Sequence, residues 1–232
     1  MLLYSFSLLI SLIAGVWFIV KPPQNQRWVY LFLSAGGAFL ITVIFTHILP
    51  ELFESIPEKA GYALLFGFVI QIILEHFSKG IEHGHSHSNA SPRALALAYI
   101  ALCIHAFIEG MPLADVFVSN TSAVTREMLI GITLHKIPVA ITLAIMLKKS
   151  NTSVAMSLLL LLGFILSTPL GSITQDFLGG FTEDLLMLSL ALTVGILLHV
   201  STTILFESSD HHRLSPPRVV VILLGIMAGF LI

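Results

Sequence analysis

The chain has 232 residues, 56% of them hydrophobic and only 10% charged, against about 25% charged in an ordinary soluble domain. Most of it must therefore lie in lipid; the formal net charge of −2 is silent about nucleic acid, but no basic run is present and no such partner is expected. The single cysteine, Cys103, leaves no disulfide framework or thiolate cluster and reads as a small buried hydrophobe in an apolar stretch.

A spanning helix needs roughly 20 mainly apolar residues, and eight stretches of that kind follow one another. The first, 2–20, lacks the charged n-region and A-x-A site of a signal peptide and is read as a helix of the mature chain; Lys21-Pro22-Pro23 ends it. The second, 28–49, is followed by the polar stretch 51–59, and the third covers 60–78. The fourth is 94–118, and the fifth, 126–147, closes on Lys148-Lys149-Ser150-Asn151. Gly179-Gly180 parts the sixth, 152–174, from the seventh, 185–206, and Ser215-Pro216-Pro217 opens the eighth and shortest, 216–232. The fold expected is all-α, one transmembrane domain over 1–232 with a cytoplasmic, histidine-containing loop at 79–93. The distribution of lysine and arginine orients it. With the N-terminus outside, the inner loops hold Lys21, Arg27, Lys79, Arg93, Lys148, Lys149, Arg213 and Arg218, and the outer loops hold Lys59 and Arg126. That predicts N-out and C-out. The remaining basic residue, Lys136, falls inside a span.

Ionisable groups at membrane depth are costly, and each is a functional hypothesis in search of a partner. The fourth segment carries His105 and Glu109, the fifth His135 and Lys136. The second ends in His47, Glu51 and Glu54, and the third holds Glu75 and His76 near its end. His47/Glu51 and His105/Glu109 are i, i+4 pairs, so each pair shares a helical face. With His135 they offer a set of imidazole and carboxylate ligands suited to Zn²⁺, with Fe²⁺, Mn²⁺ and Co²⁺ close behind; Mg²⁺ and Ca²⁺ prefer oxygen alone. For His47 and Glu51 a solvated helix end is the competing reading. Pro50, Pro112 and Pro138 lie beside these residues, and broken helices are common at the ion sites of transporters.

The strings His105-Ala-Phe-Ile-Glu109-Gly110 and His135-Lys136-Ile-Pro138 resemble the paired signatures of the ZIP (Zrt/Irt-like) metal transporters. Gly37-Ala-Phe-Leu, His47-Ile-Leu-Pro50-Glu51 and Ser167-Thr-Pro169-Leu-Gly171 extend the resemblance along most of the chain. It implies a metal bound by His105, Glu109 and His135, with His47 and Glu51 contributing, and an elevator-like slide of a helix bundle. Many family members build a second metal position from polar residues where this chain has Ala106, Lys136 and Val139. The expectation is therefore one metal at the core. Lys136 is expected to balance the charge of Glu109 or another buried carboxylate when no metal is bound.

The loop Gly80-Ile-Glu82-His83-Gly-His85-Ser-His87 is a second metal candidate through His83, His85 and His87, a loose acceptor for arriving ions; His211-His212 is a weaker one. The function expected is uptake of Zn²⁺, or of Fe²⁺, Mn²⁺ or Cd²⁺, towards the cytoplasm. The metal is the substrate, and no cofactor is implied. The chain is not expected to be an enzyme: it has no Walker loop, and the order His-x-x-x-Glu misplaces the base of a His-Glu-x-x-His protease. A haem-binding electron carrier with His105 and His135 as axial ligands is the alternative. The lipid bilayer is the other partner expected, a homo-oligomer is compatible with the chain, and the short loops suggest a bacterial cytoplasmic membrane.

Overall fold

The structure is a computed structural model that describes residues 2–21, 27–83, 91–116, 123–179, 183–207 and 215–232. Among them are helices and no strand. The helices are α1 (Leu2–Val20), α2 (Arg27–Val43), α3 (Leu49–Ser55), α4 (Pro57–Ser78), α5 (Pro92–Gly110), α6 (Ala123–Lys149), α7 (Val154–Gly179), α8 (Glu183–Glu207) and α9 (Pro216–Phe230). A π turn, Ile44–Ile48, joins α2 to α3, so Arg27–Ser55 forms one rod of 29 residues. This rod outruns the predicted second segment because Pro50 falls in the first turn of α3, where a missing N–H is tolerated. The chain turns instead at Ile56, and Pro57 opens α4.

Eight rods result, and among the described residues seven are long and apolar enough to cross a membrane. The eighth, α9, has 15 residues and so reaches only about 22 Å of the roughly 30 Å hydrocarbon thickness. Large apolar side chains such as Phe6, Phe66, Phe177 and Leu224 face outward from the rods. Such faces would be untenable in water and are ordinary against acyl chains. The protein is an integral membrane protein.

The rods pack in two groups. One comprises α1, α5, α6 and α7, the other α2, α4, α8 and α9, and they meet where α2 runs against α6 and α4 against α5. In lipid, helices associate through close packing rather than hydrophobic exclusion, and small residues admit the closest approach. Within each group glycines do this reciprocally: Gly110 of α5 lies on the Thr168 carbonyl of α7 and Gly171 of α7 on the Phe107 carbonyl of α5. In the other group Gly67 of α4 faces Leu192 of α8, and Gly195 faces Leu64.

Three apolar clusters fill the interior, and two of them flank the middle of α6. Phe39, Ile44, Ile48, Leu113, Met128 and Ile132 belong to one, and Leu102, Val139, Leu143, Leu161 and Phe164 to the other. Along α6 the first cluster ends at Ile132 and the second begins at Val139. His135 and Lys136 occupy the gap.

A Cβ at position 67 would collide with backbone, whereas one at position 61 meets nothing within 4 Å. Gly67→Ala is expected to cost about 1–3 kcal/mol and lower the thermal midpoint of the detergent-solubilised protein. Gly61→Ala should leave the midpoint unchanged or raise it slightly.

Candidate metal centre

Proline chemistry shapes the backbone around the centre. Pro112 has no N–H, so the Ile108 carbonyl four residues earlier lacks its α-helical partner. Two groups replace it: the Met111 N–H turns back onto that carbonyl, and Thr193 Oγ1 of α8 donates to it at 3.0 Å. The Gly110 carbonyl accepts from Ser172 Oγ at 2.7 Å, and the Tyr4 hydroxyl supports Ser172 at 3.1 Å. Glu109 thus sits in the last turn of α5, on a helix end whose freed carbonyls are satisfied by α7 and α8. In α6, Pro138 frees the Leu134 carbonyl beside His135, and Gly36 of α2 faces that carbonyl, 3.3 Å from where a Cβ would be.

Glu109 divides its two oxygens between two neighbourhoods. Oε1 lies 3.0 Å from His105 Nε2 and 3.9 Å from His135 Nε2. Oε2 accepts from the Lys136 ammonium at 2.8 Å, and that ammonium also stands 5.2 Å above the centre of the Phe164 ring. The two imidazoles meet edge to face at 5.9 Å. The side chains of His105, Glu109, His135 and Lys136 are each about 1% accessible.

His105, Glu109 and His135 can each turn one ligand atom into a group whose members lie within 4.8 Å of one another. Bonds of about 2.0–2.2 Å from imidazole nitrogen and carboxylate oxygen would meet in such a space. The tautomer favours this. His105 Nδ1 is 2.9 Å from Gln71 Oε1, an acceptor, so Nδ1 carries the proton and Nε2 is left with its lone pair towards Glu109. Two lone pairs 3.0 Å apart call for a positive centre between them, a proton or a metal ion. A neutral, oriented imidazole with its far nitrogen hydrogen-bonded is the usual form of a metal-ligating histidine.

The other expected residues lie elsewhere. His47, on the π turn, has Nδ1 2.7 Å from Thr46 Oγ1 and 4.0 Å from Glu127 Oε2. Glu51 is half-buried on α3, and neither residue joins the His105–Glu109–His135 group among the described residues. His83 closes a short 3₁₀ turn, Ile81–His83, while His85, His87, His211 and His212 fall outside the described residues. Glu75, near the end of α4, pairs across helices, its Oε2 3.3 Å from His199 Nδ1.

Two residues were missed by sequence reasoning. Gln71 is fully buried on α4 and orients His105. Glu127 is 4% exposed on α6 beside His47. Each is a polar residue within an apolar span, and that was the available signal.

The sequence profile described as ZIP zinc transporter matches residues 82–232, a stretch that holds His105, Glu109, His135 and Lys136. No curated protein matches the chain.

Removing one member of a buried ion pair typically costs about 3–5 kcal/mol, because the other charge is stranded. Lys136→Met is expected to destabilise the metal-free protein on that scale, and Lys136→Met/Glu109→Gln to recover most of the loss. Thermal midpoints in detergent without metal check this; equal losses in the single and double variants would show the pair to be uncoupled.

Proposed function

We propose that this chain, which belongs to the ZIP zinc transporter family and is thereby a carrier of divalent metal ions across a membrane, takes up Zn²⁺ through a single-metal centre formed by His105, Glu109 and His135. The observation that carries the reading is the burial, between two apolar clusters, of three side chains whose ligand atoms converge within 4.8 Å. Fe²⁺, Mn²⁺ and Cd²⁺ share the ligand preference, and Zn²⁺ stands above Fe²⁺ and Mn²⁺ in the general order of affinity.

The lysine and arginine distribution supports an N-out, C-out orientation, which places Glu51, Glu54 and Glu127 at the external mouth. Glu75, His199 and the histidine loop then face the cytoplasm, and the proposed direction is inward. One unit over 1–232 carries out the transport, in a bacterial cytoplasmic membrane.

Lys136 explains the single-metal stoichiometry. Its ammonium is 2.8 Å from the second oxygen of Glu109, where a bridging carboxylate would hold another cation. A dication on Oε1 and an ammonium on Oε2 repel each other, so metal binding and the Lys136–Glu109 pair compete. The empty carrier is the state in which that pair is strongest, and it keeps Glu109 from crossing the membrane as an uncompensated charge. A haem held by His105 and His135 would need its ring to pass through the space that Glu109 occupies between them.

Reconstitution into liposomes with uptake measured for a panel of metals tests the function. His105→Ala and Glu109→Ala should reduce Zn²⁺ uptake to the protein-free level; normal uptake by both would overturn the site. Gln71→Ala should weaken metal affinity about 10–100-fold, the usual effect of losing a hydrogen bond behind a ligand. Lys136→Ala should retain metal binding but shift the pH profile of uptake, and superimposable profiles would count against the competition.

A further inference from the structure

Glu127 has no part in the centre described above, yet its Oε2 is buried without a hydrogen-bond partner among the described residues. It precedes His135 by eight residues on α6, about 12 Å along the helix axis. The facing titratable group is His47, with Nδ1 4.0 Å from that oxygen. A carboxylate oxygen withdrawn from water and left without a donor is a costly arrangement unless a cation visits it.

The opposing element is built to present His47. Between Ile44 and Ile48 the helix widens to a π turn, with the Leu49 N–H reaching back to the Ile44 carbonyl. Such turns shift the side chains that follow out of α-helical register and recur at functional sites. Thr46 Oγ1 gives its proton to the Thr42 carbonyl at 2.7 Å, so towards His47 Nδ1, also at 2.7 Å, it can offer only a lone pair. The His47 Nδ1 therefore has a hydroxyl oxygen at 2.7 Å and a carboxylate oxygen at 4.0 Å.

We infer that His47, Glu127 and Thr46 form a second, transient site for a divalent transition-metal ion, at the mouth that leads to His105, Glu109 and His135. The separation of 4.0 Å between Nδ1 and Oε2 is about the span of two metal–ligand bonds of roughly 2.0–2.2 Å. In taking the ion, Nδ1 gives its proton to water and Nε2 takes one from water, so the imidazole changes tautomer with no net change in protons. One carboxylate leaves a dication with net positive charge, and His47, 30% accessible, keeps coordination positions open to water. Both features make the site a holder that releases. Its place in transport rests on the function proposed above; its capacity to bind metal does not.

Equilibrium dialysis of Zn²⁺ against the purified full-length protein in detergent tests it, in a background with His83, His85 and His87 replaced by alanine. The expected result is a tight and a weak class of bound Zn²⁺. Glu127→Gln and His47→Ala should each abolish the weak class and spare the tight one; Glu127→Asp should restore part of it. Thr46→Val, which leaves every charge in place, should weaken the same class. The double variant His105→Ala/Glu109→Ala should lose the tight class and keep the weak. Unchanged Zn²⁺ binding by Glu127→Gln and His47→Ala would overturn the inference, as would a change in thermal midpoint alone. Loss of the weak class in these variants, with no tight class in any protein, would instead sink the proposed function and leave this site standing.

Discussion

The structure turns on one carboxylate with two faces. Glu109 is buried at membrane depth, where a lone charge is among the most expensive things a protein can hold. It is tolerated because its oxygens have different companions, the imidazoles of His105 and His135 on one side and the Lys136 ammonium on the other. Coulomb attraction in so dry a place is strong, but so is the desolvation it must offset, and the net worth of such a pair is small beside the cost of breaking it. The arrangement is therefore a poor source of stability, and the function proposed above makes it a switch, in which a cation on the histidine face loosens the lysine on the other.

Everything nearby serves the position of that group. A helix that ran straight through residue 112 would keep its carbonyls to itself; Pro112 releases one, and Thr193 and Ser172 recruit neighbouring helices to cover the break. The reciprocal glycines of α5 and α7 bring the two backbones together where Glu109 leaves α5. The comparable glycines of α4 and α8 fix Gln71 across the seam, where it sets the tautomer of His105. Polar groups are thus fixed by packing between helices, and the ligand geometry follows from the backbone more than from side-chain freedom.

Much of this was legible in the sequence. Eight apolar runs gave eight rods, and the fourth and fifth carried the residues that converge, because the i, i+4 spacing of His105 and Glu109 constrains them on any helix. What could not be read was how helices face one another. His47 and Glu51 share an i, i+4 spacing too, yet the π turn lies between α2 and α3 and His47 meets Glu127 instead. Glu75 and His199 are far apart in sequence and meet only because α4 packs on α8. Helix ends near proline also differ from the predicted bounds: the second rod runs on through Pro50 to Ser55, while beyond Gly110 the end of the fourth segment becomes a 3₁₀ turn that holds Pro112. The last segment looked long enough in composition but closes at Phe230.

The claim that Lys136 leaves room for one metal is open to a direct measurement. X-ray absorption at the zinc edge, on protein loaded with less than one equivalent of Zn²⁺, reports the ligands and any neighbouring metal. The account predicts two imidazoles and a carboxylate at about 2.0–2.2 Å, with no metal–metal vector as further zinc is added to the core. A second zinc at about 3.5–4 Å, the spacing of a two-metal site, or a shell without imidazole, would contradict it.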